Sequence, residues 1–294
     1  EGLSAYIKSV SISDQNEINT VTTELENYLR DHEVLIDDII ESLKEELHRD
    51  NFNANLWYEC GYLLSTAGRY DEALEYLDEV IDLDPLYFDA YVQRSFVNNR
   101  LENYKASIND ISIMLHHQDT LQYHIYRADY FYNDGNYNEA IEDYILAANN
   151  GSNESAYCYY SCGQSCYRLE DYASAAFYYD KAISEELPDG YKASCYSECG
   201  DVYYNLGCEE YDNENTERGN EYFKSALDRY YEVLNCESSD DERANCYYWA
   251  GITHSVLGDE KSALSDYEAA CEYSDEAEYR DARNRCKKHL MSLE

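Results

Sequence analysis

Between residues 54 and 87 the chain reads ANLWYECGYLLSTAGRYDEALEYLDEVIDLDPLY, and its apolar positions fall three and four apart. Trp57, Cys60, Gly61 and Leu64 share one helical face, while Ala73, Leu77 and Val80 share another. Two amphipathic helices must therefore face each other, joined by a tight turn at Gly68 and stopped at Pro85. Gly61 and Ala73 sit where the helices approach most closely, and Gly68 permits the left-handed backbone that ends the first helix.

The same arrangement returns five more times. The aromatics that open the second helices, Tyr70, Tyr104, Tyr137 and Tyr172, are spaced by 34, 33 and 35 residues. On this register the six units begin at Ala54, Phe88, Leu121, Ala156, Ala193 and Ala244. Position 8 of the unit holds Gly61, Gly163, Gly200 and Gly251, with Ser95 and Ala128 in units two and three, and position 15 holds Gly68, Gly135, Gly207 and Gly258. Position 20 stays small throughout: Ala73, Ser107, Ala140, Ala175, Ala226 and Ala263. The fifth unit needs an acidic, polar insertion of about 14 residues near 208–221. Two readings stand: a longer turn or extended helix ends tolerated at the edge, or a projection that contacts a partner.

This pattern resembles the tetratricopeptide repeat, whose unit is about 34 residues, over roughly residues 54 to 275. The resemblance implies an all-α fold, a right-handed α-solenoid of six helix-turn-helix units between helical caps. Residues 1–53 read as an N-terminal cap or degenerate repeat. Its first helix follows a capping box at Asp14 and Glu17 and uses Ile18, Val21, Leu25, Tyr28 and Leu29; its second, from about Val34 to His48, uses Leu35, Ile36, Ile39, Ile40, Leu43 and Leu47. Residues 276–294 read as a capping helix. Its basic cluster, Arg280, Arg283, Arg285, Lys287 and Lys288, is expected to place favourable charge toward a helix C-terminus beside an acidic body, with an anion-binding or self-association site as the sharper alternative.

Composition narrows the function. With 61 acidic and 22 basic residues the formal charge is −39, which repels phosphate backbones and anionic bilayers, so neither nucleic acid nor membrane is the expected partner. No apolar run of about 18 residues occurs, and the first residues lack the layout of a signal peptide. A cytoplasmic location is expected, with a removed leader or a longer parent chain left open. Of the 11 cysteines, Cys158, Cys195 and Cys246 fall at position 3 and Cys60, Cys162 and Cys199 at position 7. These are inward positions, so the thiols are expected as small buried hydrophobes in a reducing compartment, with Cys208 and Cys286 the reactive exceptions. His254 is expected to pack in the core, and His116 and His117 to suit the end of a second helix. No metal-ligand spacing, phosphate loop or nucleophile motif occurs. The reading is a chain with no catalytic residue, no metal and no cofactor.

In the resembled family, positions 2, 5, 9, 12 and 13 of the first helices line a concave groove that holds a peptide. Carried over, they give thirty residues with two basic and three acidic, a net of −1, and eight tyrosines. Those expected to bind are Tyr58 and Tyr62 in unit one, Asn99 and Arg100 in unit two, and Tyr132 and Asn133 in unit three. Unit four adds Tyr157, Tyr160, Gln164, Tyr167 and Arg168, unit five Tyr204 and Asn205, and unit six Tyr248. Tyrosine supplies contact area at low entropy cost, and amides can bond a peptide backbone. The carboxylate clamp of family co-chaperones is not matched, since the residues at its places are Tyr58, Tyr62, Gln93, Gln122 and Tyr126. The expected function is a non-catalytic scaffold for a protein or peptide ligand, one with basic flanks suiting the acidic body. The alternative is a ligand- or peptide-responsive regulator on the same repeats, which the acidic, non-DNA-binding character of residues 1–53 disfavours.

Overall fold

A left-handed residue ends the first helix of each pair, and it occurs whether or not the residue is glycine. The computed structural model of the chain describes residues 35–293, with side chains for 37–292. Within that span every regular element is a helix. The helix expected over Asp14 to Leu29 lies outside the described residues. The chain divides into two compact units, residues 1–135 and 136–294.

In the first unit α1 spans Leu35–Arg49, α2 Ala54–Thr66, α3 Tyr70–Leu83, α4 Phe88–Arg100, α5 Tyr104–His117 and α6 Leu121–Asn133. Ile39, Ile40, Leu43 and Leu47 of α1 share one core with Leu56, Cys60, Leu63 and Leu64 of α2, Ala73 and Leu77 of α3, and Val97 of α4. Gly61 keeps α2 and α3 close, because a Cβ there would lie 2.9 Å from Leu77 Cγ. A polar tie crosses the next pair: Arg94 of α4 donates two bonds, of 2.9 and 2.7 Å, to buried Asp110 of α5 and a third of 2.8 Å to Asp78.

In the second unit α7 spans Tyr137–Asn149, α8 Ser155–Arg168, α9 Tyr172–Ser184, α10 Asp189–Asp212, α11 Thr216–Val233, α12 Asp240–Val256, α13 Glu260–Tyr273 and α14 Ala277–Leu293. Here the helix pairs close by a glycine against an aromatic ring. A Cβ at Gly163 or at Gly251 would sit 2.7 Å from the ring of Tyr179 or Tyr267, so only a bare backbone admits the ring.

The turns revise the register at one place. Position φ values of +75° at Gly68, +61° at Glu102, +79° at Gly135, +60° at Glu170, +66° at Glu214 and +79° at Gly258 mark the helix ends. The following amide reaches back five residues, as in Arg69 N to Leu64 O (2.9 Å) and Asn215 N to Glu210 O (2.8 Å), which satisfies carbonyls the helix leaves open. Gly207, expected at this turn, instead lies inside α10 with the Phe223 ring over it. The insertion near 208–221 is not a loop: it lengthens α10 to 24 residues and α11 to 18, leaving a turn at 213–215. About seven added residues per helix are close to two turns, so the inward face is kept. Gly207 then repeats Gly200 and Phe223 repeats Tyr230, each seven residues apart.

At the far end Tyr279, Ala282 and Cys286 of α14 are buried against Ala244, Ala263, Tyr267 and Ala270. Three expectations change here. Cys286 is buried, donates to the Glu260 carbonyl at 3.4 Å and has its thiol pushed up to about 11 by burial, so it is no reactive exception. Cys208 is part-buried, as are Cys236 and Cys271, which the register did not single out. The basic cluster lies along the middle of α14 and not in its last turn; Lys287 pairs with Glu268 at 2.6 Å and Arg280 with Asp275. His254 is likewise not apolar packing, since its Nδ1 meets Asp266 Oδ2 at 2.7 Å beside Tyr231.

Candidate partner-binding surface

First helices carry every residue expected to bind, because the unit buries one side of each first helix against its own second helix and leaves another side open. In the first unit Tyr58 stacks at 6.2 Å on Tyr62 and tilts against Tyr87 at 5.1 Å, with burial raising its hydroxyl pKa well above the usual value. These two rings are half-buried. Asn133 donates to Asn99 at 2.9 Å, which spends one amide on another, and Arg100 lies over the Phe96 ring at 5.1 Å. Tyr132 is half-buried and Asn133 exposed on α6.

In the second unit the faces of α8, α10 and α12 carry the rest. Tyr157 meets Tyr191 at 5.4 Å, and Tyr160 meets the same ring at 5.8 Å. Tyr160 is only 5% exposed, which removes it from the residues available to a partner. Its hydroxyl donates to Glu198 Oε1 at 2.9 Å, and Gln164 donates both to that hydroxyl (2.9 Å) and to the carboxylate (3.1 Å). Tyr179 donates to the other oxygen at 2.8 Å. These two expected binders thus hold Glu198 in place; burial forces the polar end of Tyr160 to find a fixed acceptor.

One turn along α10, Asp201 accepts from Tyr230 at 2.8 Å, and burial raises its carboxyl to about 6. Tyr204 packs against Trp249 at 5.5 Å and Phe223 at 5.4 Å, with Asn205 half-buried beside it. Tyr248 donates to Glu278 at 2.7 Å and touches Tyr279 at 5.0 Å, so its ring joins α12 to α14. Tyr167 is 37% exposed at the end of α8, next to exposed Arg168, and Tyr191 is 41% exposed at the start of α10. Tyr191, Glu198 and Trp249 were missed because they lie outside the five carried-over positions. The signal available was their place on the same helices, Glu198 being three residues before Asp201.

Among the described residues no group of three or more His, Cys, Asp or Glu could hold a metal ion, and no helix is long and apolar enough to cross a membrane.

Models of the tetratricopeptide repeat match residues 54–87 and 126–191. The chain thus carries tetratricopeptide repeats, and within each unit consecutive helices pack against each other as repeat hairpins. Solved structures show the same fold. The C-terminal part of a TPR repeat-containing protein from Cytophaga hutchinsonii is 13% identical with a TM-score of 0.67, over 88% of this chain and 98% of that one. A tetratricopeptide repeat protein from Parabacteroides merdae is 16% identical with a TM-score of 0.53, over 89% and 98%. PilF of Pseudomonas aeruginosa is 15% identical with a TM-score of 0.51, over 81% and 99%. Among curated proteins none matches the chain in sequence. Such repeats make a protein–protein interaction scaffold.

Proposed function

We propose that the chain is a non-catalytic scaffold that holds a short segment of a partner protein on its first-helix faces. The strongest of these is the α8–α10–α12 face of the second unit. The observation that carries the reading is the run of four rings and one amide there, exposed Tyr167 and Tyr191 with half-buried Tyr157, Tyr204 and Asn205, on helices whose opposite sides are fixed by packing. Rings held at their edges by neighbours lose little entropy on binding, and amides beside them can satisfy a peptide backbone. On the first unit Tyr58, Tyr62, Tyr132 and Arg100 offer a second, smaller contact. The strongly acidic remainder of the surface speeds association with a partner carrying basic flanks, and more so at low salt.

The test is capture of the partner from the native source by the parent chain and by a Tyr167→Ala, Tyr191→Ala, Asn205→Ala variant. A folded variant, checked by circular dichroism, should bind the captured partner weaker by roughly 2 kcal/mol, the scale of interface hot spots. Equal capture removes this face from consideration.

A further inference from the structure

Two carboxylates set between the helices of this protein are answered by an arginine: Asp110 by Arg94 at 2.7 Å and Asp180 by Arg229 at 2.8 Å. Glu198 and Asp201, one turn apart on the α8–α10–α12 face, are answered only by neutral donors. The hydroxyls of Tyr160 and Tyr179 and the amide of Gln164 hold Glu198, and the hydroxyl of Tyr230 holds Asp201. Neither has a cationic partner among the described residues. The Tyr160 ring, whose hydroxyl bonds Glu198, lies 5.8 Å from the ring of Tyr191, which stands 5.4 Å from that of Tyr157 and is 41% exposed.

From this we infer that the face is a cation subsite. A lysine or arginine side chain of the bound segment lays its stem along Tyr157 and Tyr191 and brings its charge to Glu198, with Asp201 one turn further along α10 adding to the negative field. Three features agree on that occupant. Tyrosine faces attract a cation through the ring quadrupole. A partly desolvated carboxylate already fixed by three donors gains from a charge-assisted bond without having to be ordered first. An acidic segment would meet two carboxylates that only neutral donors answer and be rejected by like charge. The wider charge of −39 favours any basic peptide over long range, but salt screens it beyond about 8 Å, whereas contact in this half-buried site survives. The inference rests on the proposed binding of a partner segment to this face and adds the chemistry of the residue recognised there.

The probe is a random peptide library selected in moderate salt on four immobilised chains: the parent, Glu198→Gln, a Glu198→Gln/Asp201→Asn variant, and a Glu185→Gln/Glu186→Gln control. The control removes the same charge from two exposed residues that follow α9. Peptides from the parent and the control should be enriched in one lysine or arginine at a fixed place. Replacing that residue by norleucine should weaken binding to the parent about tenfold, the scale of one partly desolvated cation contact. Glu198→Gln keeps one carbonyl acceptor, for Tyr160 or Tyr179, and lets its amide nitrogen donate to the other hydroxyl, and it should reduce that ratio even if the double variant folds poorly. Enriched peptides without a basic residue, or a basic preference that Glu198→Gln leaves intact, overturn the cation subsite while peptide binding stands. No enrichment on any chain overturns both readings.

Discussion

Glycine in this chain has two separate duties, and the sequence register confused them once. At Gly68, Gly135 and Gly258 the backbone is left-handed with open space around the missing side chain; at Gly163, Gly200, Gly207 and Gly251 a ring occupies that space. Spacing alone put Gly207 in the first group, because an insertion of close to two turns per helix preserves the face and hides the true turn at Glu214. Gly207→Ala should therefore cost roughly 1–3 kcal/mol, the range for an overpacked core, measured by urea unfolding. An unchanged midpoint would place the Phe223 ring elsewhere. Burial also explains the place of Tyr160: a tyrosine 5% exposed spends its hydroxyl internally, on Glu198, which periodicity cannot reveal. Asp201 allows a pH test. Its folded carboxyl titrates near 6, above the unfolded value of about 3.9, so between those values the folded chain keeps a proton that the unfolded chain has lost. The stabilisation from that proton is complete below about pH 4 and disappears as pH rises through about 6. The unfolding free energy of the parent minus that of Asp201→Asn should consequently fall from pH 5 to pH 7. A difference that rises over that interval contradicts the burial argument.

At the scale of elements, the helices were legible because small residues recur at fixed places. Tyr70, Tyr104, Tyr137 and Tyr172 each open a second helix, as their spacing implied. The thiols follow the same logic. Cys60, Cys162 and Cys199 are buried, with the Cys60 thiol raised to about 12 by desolvation. Mass spectrometry after brief alkylation of the native chain should find them unlabelled, with label on part-buried Cys208, Cys236 and Cys271; early labelling of the first three would mean that the first helices open readily. α14 was read from the sequence as a capping helix; what its charges hid was the side that packs, Tyr279, Ala282 and Cys286. Removing residues 276–294 uncovers Tyr267 and Ala270, so the truncated chain should melt at lower temperature and aggregate. Unchanged melting and solubility would show that α14 covers nothing that matters.

For the whole molecule, repeats imply a binding scaffold, and charge narrows what it holds. Acidity was visible in the composition, but the pairing of each carboxylate was not, since Glu198 and Asp201 look like any other acidic residue until their neighbours are seen to be uncharged. The open side of α8 and α10 was legible from position, and its polarity only from packing. A photo-crosslinking phenylalanine analogue placed in turn at Tyr167, at Tyr191 and at Phe177 reports which face of the chain touches the partner. Phe177 is 60% exposed on the second helix α9, away from the proposed face, and serves as the reference. Irradiated in an extract of the native source, the chains labelled at positions 167 and 191 should crosslink to the same partner, and the chain labelled at 177 should not. A partner joined equally well, or only, through position 177 would contradict the account.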